Sequence, residues 1–315
     1  MEILVGYTGF VGQNLNAQHK FEVFNSANIE AAHGTKPSLC VYSGIYSEKF
    51  KADSFPEEDL FHIKAALANI NLIKPQKLVL ISTIDVVQSA NGQAIYEDTP
   101  YSTANLTPYG RNRLFLEQEV RNLHKDALIM RLPGLFGRGI KKNFIFDLIN
   151  YFPIMLRREK FAELCKNHPE LSEYYHNDGE FYRITKFANL PQNRKKLRQI
   201  FEKLEFSALN FTDSRSKFAF YNLQNLWSDI QKLLSEQVKL AHISNEPVSA
   251  SEIYKHVLGG EFRNELENTP FDYSFFRTRH AKLLGGEVDF ICKKAKILAE
   301  IKQFIEEEMK NYEET

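Results

Sequence analysis

Three glycines, Gly6, Gly9 and Gly12, stand between the short apolar run Glu2-Ile-Leu-Val5 and a helical stretch over Val11 to Gln18. No other feature narrows the fold as much. Glycine at such a turn permits a positive φ and lets a backbone approach a ligand with no Cβ in the way. The helix that follows presents free N–H groups and the positive end of its macrodipole, which together hold a diphosphate. The spacing is G-x-x-G-x-x-G, not the G-x-G-x-x-G of the dinucleotide fingerprint. The context is nevertheless the required one, a strand before and a helix after. A tight turn with no ligand is the alternative.

The first half of the chain repeats this alternation. Phe21 to Phe24 and Leu39 to Tyr42 read as strands, and Glu57 to Ile73 has apolar residues close to helical spacing. Pro75 ends that helix. Lys77-Leu-Val-Leu-Ile81 is apolar enough for a strand covered on both faces. A helix over Tyr109 to Leu123 and a strand over Ala127 to Leu132 complete the series. The β-α-β-α order predicts an α/β fold, a Rossmann doubly wound parallel sheet.

A dinucleotide site of this kind usually has an acidic residue about 20 positions past the first glycine, bonded to the ribose 2′-hydroxyl. Here Asn25 and Ser26 occupy that strand end. Neither an acid nor an arginine is present, so NAD and NADP both stay open.

Ile81-Ser-Thr-Ile-Asp-Val-Val87 brings polar side chains to the carboxyl edge of the sheet, where open α/β folds bind ligands. Tyr109 and Arg113 lie four apart at the start of the next helix and share a face. A cation beside a phenol lowers its pKa and makes it a better proton donor or acceptor near neutral pH. Thr83 then hydrogen-bonds the substrate oxygen that gains or loses the proton. Each residue alone reads blandly: a helix-start aromatic, a solvated charge, a strand-end hydroxyl. Their order behind the glycine turn favours an acid–base pair.

With these residues in view, the chain resembles the extended short-chain dehydrogenases/reductases, within them the NAD-dependent epimerase/dehydratase group that acts on nucleotide sugars. Gly6-Tyr-Thr-Gly-Phe-Val-Gly12, Ser82-Thr-Ile-Asp-Val86, Tyr109 with a cation at 113, and Arg131-Leu-Pro-Gly-Leu-Phe-Gly137 carry the resemblance. It implies that Gly6, Thr8, Gly9, Phe10, Val11 and Gly12 contact the dinucleotide, with Asn25 and Ser26 at the ribose. Ser43 and Gly44 are then expected near the adenosine ribose and diphosphate, and Pro133 and Gly134 beside the nicotinamide. Thr83 and Tyr109 correspond to the catalytic pair, and Asp85 to a second polar catalytic residue found in some members. The family has lysine where this chain has Arg113. Arginine keeps the charge and stays protonated, but it is wider and cannot relay a proton.

From about Gly139 the texture changes. Asn143 to Tyr151 reads as a short apolar helix, and Arg157 to Asn210 as a charged, aromatic-rich helical insertion. A β-α-β return follows over Phe218 to Ile243, and Lys293 to Tyr312 is an amphipathic helix. The expected domains are therefore 1–138 plus 211–245 for NAD(P), and 139–210 plus 246–315, smaller and mostly helical, for substrate. Lys141, Lys142 and Asn143 are candidates for a sugar-nucleotide diphosphate at a helix start; a solvated basic loop is the alternative reading. Tyr174, Tyr175 and His176 read as packing or partner surface, and Arg277, Arg279 and His280 as weaker substrate candidates.

The 315 residues carry zero formal net charge, so no basic field points to nucleic acid. Three scattered cysteines, Cys40, Cys165 and Cys292, form no metal-ligand spacing and suit a reducing compartment. No basic leader or long apolar run is present, so a cytoplasmic protein without a membrane partner is expected. The sequence reading is an NAD(P)-dependent oxidoreductase, epimerase or dehydratase of a nucleotide-linked sugar, working through Thr83 and Tyr109. The resemblance further implies a homodimer through the helices at 57–73 and 109–123. Two alternatives are a catalytically silent NAD(P)-binding sensor or complex subunit, suggested by Arg113, and a reductase of a non-sugar carbonyl.

Overall fold

The computed structural model describes residues 1–89 and 92–314, with side chains through residue 310. The chain divides into two compact units. The first comprises Met1–Ile140, Lys217–Val248 and Asp272–Ile297; the second comprises Lys141–Ser216, Ser249–Phe271 and Leu298–Thr315.

The elements run β1 (Glu2–Val5), α1 (Phe10–Gln18), β2 (Glu22–Phe24), β3 (Leu39–Tyr42), α2 (Lys49–Ser54), α3 (Pro56–Ile73), β4 (Leu78–Thr83), α4 (Pro108–Leu123), β5 (Leu128–Leu132) and β6 (Leu135–Phe136). Then come α5 (Phe144–Asn150), β7 (Met155–Arg157), α6 (Arg158–Asn167), β8 (Tyr175–Asn177), β9 (Phe181–Ile184) and α7 (Pro191–Lys203). The chain closes with β10 (Lys217–Phe218), β11 (Tyr221–Asn222), α8 (Leu226–Ser235), β12 (Leu240–His242), β13 (Val248–Ser249), α9 (Ala250–Leu258) and α10 (Lys294–Glu314).

In the first unit six strands form one parallel sheet in the order β12-β5-β4-β3-β1-β2. Alternating side chains feed two cores. Leu4, Val41, Val79 and Met130 pack with Leu15 of α1 and Leu226 and Ile230 of α8. Ile3, Cys40, Leu80 and Ile129 pack with Ile63 and Ile70 of α3 and Leu116 and Val120 of α4. This is the two-faced burial that near-continuous apolar strands require. Burial in the second core also pushes the Cys40 thiol up to about 12, so it behaves as a small apolar group.

The helices are delimited by local chemistry. Pro56 opens α3 with Glu57, Glu58 and Asp59 in its first turn, and Lys74 ends it in the left-handed region at φ 56°. Thr107 caps α4 by accepting from the Gly110 N–H.

Two expectations need correction. The stretch over 157–210 is not purely helical: β7, β9 and β8 form a three-stranded antiparallel sheet, turned at Asp178-Gly179. Its aromatics supplied the strand-forming side chains, and period-two alternation over three or four residues is too short to stand out. Tyr174 and Tyr175 are buried in the core of the second unit, with Phe152, Phe161 and Phe201. The C-terminal part also does not belong wholly to the second unit, because residues 272–297 return to the first. They are tied there by backbone and side-chain bonds: Arg277 N–H to the Ile95 carbonyl, Thr278 Oγ1 to Glu97, and Ile291 N–H to the Ser244 carbonyl.

Candidate active site

The sheet order turns back between β1 and β3, so the crevice at their carboxyl ends is where an open α/β fold takes a ligand. The glycine turn and Ser43-Gly44 both lie at those ends. Gly6 has φ +88°, and a Cβ on it would stand 2.5 Å from the Gly44 Cα. A Cβ on Gly12 would meet the Gly6 carbonyl oxygen at 2.1 Å. Those two glycines are therefore demanded by the chain's own backbone. Gly9 differs, since its Cβ would meet nothing nearer than the Gly6 oxygen at 3.3 Å. Gly9 is exposed at the N-cap of α1, whose first turn has no side-chain cap and no acidic residue. The start of α1 thus keeps its N–H groups and positive dipole end for an anion, and the turn fits a dinucleotide diphosphate. Phe10 and Val11 flank it, partly buried, and Thr8 is exposed beside it.

The other cofactor candidates have defined local roles. Asn25 accepts from the Ala27 N–H at 2.9 Å, and its own N–H donates to Asn28, so Asn25 shapes the loop after β2 and Ser26 is left exposed. Ser43 is turned inward, its hydroxyl donating to the Val5 carbonyl at 2.9 Å. Pro133 is buried after β5, and Gly134 lies so close to Phe220 that a Cβ would stand 3.0 Å from its ring.

Thr83 ends β4 and its hydroxyl donates to Asp85 Oδ2 at 3.2 Å. The Asp85 carbonyl in turn abuts α4, where a Cβ on Gly110 would be 2.3 Å from its oxygen. Glycine after Tyr109 is what lets the helix start reach the strand end. The Tyr109 N–H donates to Asp53 of α2 at 2.9 Å, fixing the first turn, and the Thr83 side chain is close enough to Tyr109 to lower its pKa. The structure therefore brings Thr83, Asp85 and Tyr109 into one cluster. Beneath it, buried Arg131 pairs with Glu117, which also accepts from Ser82 and so fixes the strand next to Thr83.

Arg113 departs from its expected role. Its guanidinium lies over the Tyr109 ring, 3.9 Å from the centroid. It forms an ion pair with Asp59 of α3, donates to the Tyr46 carbonyl, and its Nε finds no partner among the described residues. The net effect on Tyr109 is also the reverse of that expected. Burial raises its pKa and outweighs the lowering by Arg113, while Asp85 and Asp59 raise it further. Tyr109 is consequently a protonated phenol at neutral pH.

Lys49, Asp53, Asp59 and Tyr273 belong to this cluster and were not singled out from sequence. Lys49 Nζ stands 2.6 Å from Asp85 Oδ1. Burial raises the Tyr273 pKa most, and the neighbouring Asp85 and Tyr109 raise it further. Lys49 sits in the charged run Ser47-Glu-Lys-Phe-Lys51, which reads as a solvated surface, and Asp59 reads as a first-turn acid.

In the second unit, Asn143 is corrected as a ligand candidate. Its side chain caps α5, accepting from the N–H groups of Ile145 and Phe146, so those donors are not free for a diphosphate. Lys141 and Lys142 are exposed. Among the described residues no group of three or more metal-ligating side chains occurs, and no helix is long and apolar enough to cross a membrane.

Residues 1–153 match the family described as the RmlD substrate binding domain. The fold is that of the extended short-chain dehydrogenases/reductases. Among similar solved structures is a dTDP-4-dehydrorhamnose reductase from Bacillus anthracis in complex with NADP. It has 16% identity and a TM-score of 0.61, with coverage of 98% of this chain and 99% of that one. RMD from Pseudomonas aeruginosa complexed with NADPH has 14% identity and a TM-score of 0.62 over 100% and 99% of the two chains. A UDP-N-acetylglucosamine 4-epimerase from Methanobrevibacter ruminantium, bound to UDP-N-acetylmuramic acid, has 10% identity and a TM-score of 0.62 over 97% and 98%. No curated protein matches the sequence.

Proposed function

We propose that this chain is an NAD(P)-dependent enzyme of nucleotide-linked sugars, and specifically a reductase of a sugar carbonyl. The observation that carries the reading is the buried Tyr109 at the start of α4, beside Thr83 at the carboxyl end of β4. A phenol that holds its proton at neutral pH can give it to a carbonyl oxygen as that oxygen gains charge. Gly9 and the start of α1 would hold the dinucleotide, which would supply the hydride. Thr83 Oγ1 orients the oxygen that receives the Tyr109 proton by turning its own proton from Asp85 to that oxygen. The likeness to a dTDP-4-dehydrorhamnose reductase in complex with NADP, and to RMD complexed with NADPH, supports the same assignment.

The test is calorimetric titration with NADPH and NADH, followed by a turnover screen of dTDP-, UDP-, GDP- and CDP-linked keto sugars. Absence of binding for both cofactors would refute the reading. Binding without turnover of any sugar would favour the silent dinucleotide-binding protein, which the immobilised Arg113 also suits.

A homodimer through α3 and α4 forms part of the proposal. Phe61, Ala65, Ala68 and Leu72 recur at helical spacing on α3 and are exposed. Light scattering at micromolar concentration should give twice the 36.6 kDa chain mass, and Phe61→Asp should return the monomer.

A further inference from the structure

We propose that Lys49, acting through Asp85, supplies positive charge at the hydroxyl end of Tyr109, beside that of Arg113 over the ring. The inference rests on the assignment of Tyr109 as the proton donor. Four side chains form a continuous line: Lys49 Nζ to Asp85 Oδ1 at 2.6 Å, Thr83 Oγ1 to Asp85 Oδ2 at 3.2 Å, and Thr83 to Tyr109. Both carboxylate oxygens of Asp85 are thereby engaged, one by a cation and one by the hydroxyl that touches the phenol.

Every element around Tyr109 contributes a titratable group. Lys49 and Asp53 come from α2, Asp59 from α3, Asp85 from the turn after β4, Arg113 from α4, and Tyr273 from the returning segment 272–297. Arg113 is opposed by Asp59 on the ring side. On the hydroxyl side Asp85 alone would hold the phenol protonated and weaken it as an acid. Lys49 offsets that carboxylate. Lys49 remains partly solvated, so it can shift with substrate in a way the buried Arg113 cannot. It is a positioning residue: it touches Asp85, not the reacting oxygen.

The experiment follows the Tyr109 phenol itself, without cofactor or substrate. The ring Cζ resonance of [13C]tyrosine-labelled protein is assigned by its loss in Tyr109→Phe, then followed against pH. Lys49→Met should shift the Tyr109 titration upward by roughly one pH unit, and Lys49→Arg should restore it. Asp85→Asn should shift it downward, which keeps the effect measurable if the upward shift meets alkaline unfolding. Circular dichroism establishes that each variant is folded. A Lys49→Met titration superimposed on the unmodified protein, a Lys49→Arg curve matching that of Lys49→Met, or no downward shift in Asp85→Asn would each overturn the proposal. Failure of both NADPH and NADH to bind would refute the reductase assignment while leaving these titrations interpretable.

Discussion

Tyr109 stands between two ion pairs of the same charge type and opposite setting. Arg113 and Asp59, on the ring side, are 4% and 8% exposed; Lys49 and Asp85, toward the hydroxyl, are 41% and 20% exposed. A buried pair has both charges desolvated, so removing one partner leaves the other stranded. A half-solvated pair is screened, contributes little to folding, and leaves its cation adjustable. Burial therefore assigns the two cations different work: Arg113 fixes α4 against α3 and supports the phenol ring, while Lys49 adjusts the charge beside its oxygen.

The largest effect should come from the residue both pairs share. Tyr109→Phe keeps the ring over Arg113 but removes the proton, and turnover should fall about 10²- to 10⁴-fold with NADPH affinity retained, as read by stopped-flow absorbance and calorimetry. Loss of NADPH binding instead would mean that the hydroxyl serves the cofactor. Next, Asp59→Ala strands Arg113, and urea unfolding should register a loss of roughly 3–5 kcal/mol. A loss below about 1 kcal/mol would erase the distinction between the pairs. Lys49→Met, measured the same way, should cost no more than about 1 kcal/mol.

The smallest effect extends the comparison to a carboxyl outside the first unit. Burial pushes Asp147 of α5 up to about 7. Its folded-state pKa lies above its unfolded value, so its stabilising contribution is complete below about 4 and is lost as pH rises through about 7. Asp147→Asn should leave stability at pH 4 nearly unchanged and raise it modestly at pH 8. Parallel unfolding curves at both values would contradict the assignment.

Much of this was legible in the sequence. The parallel strands of the first half and helices α1, α3 and α4 were found to within one or two residues, because two-faced apolar runs and helical spacing act locally, whereas α2, which carries Lys49, was not. The short strands β7, β8 and β9 were not, since three or four residues give too little alternation. Thr83 and Tyr109 were singled out from their place at a strand end and a helix start, and Asp85 through the family resemblance. Ser43 and Asn143 were marked as ligand contacts, although their side chains serve the Val5 carbonyl and the α5 N-terminus. A short polar side chain beside a free backbone group competes for it in any fold, and sequence does not reveal which partner it meets.

What the sequence alone determined is the glycine turn at the end of β1, the β-α-β order, and the presence of a hydroxyl and a phenol at the sheet's carboxyl edge. Those follow from steric rules and periodicities that operate over a few residues. Only the tertiary structure decided which cation meets which end of the phenol, and with which sign the phenol's acidity changes. Lys49 lies 36 residues from Asp85, and Asp59 lies 54 residues from Arg113. Charge and burial act through space, so the balance at Tyr109 exists only once α2, α3 and α4 have closed around it.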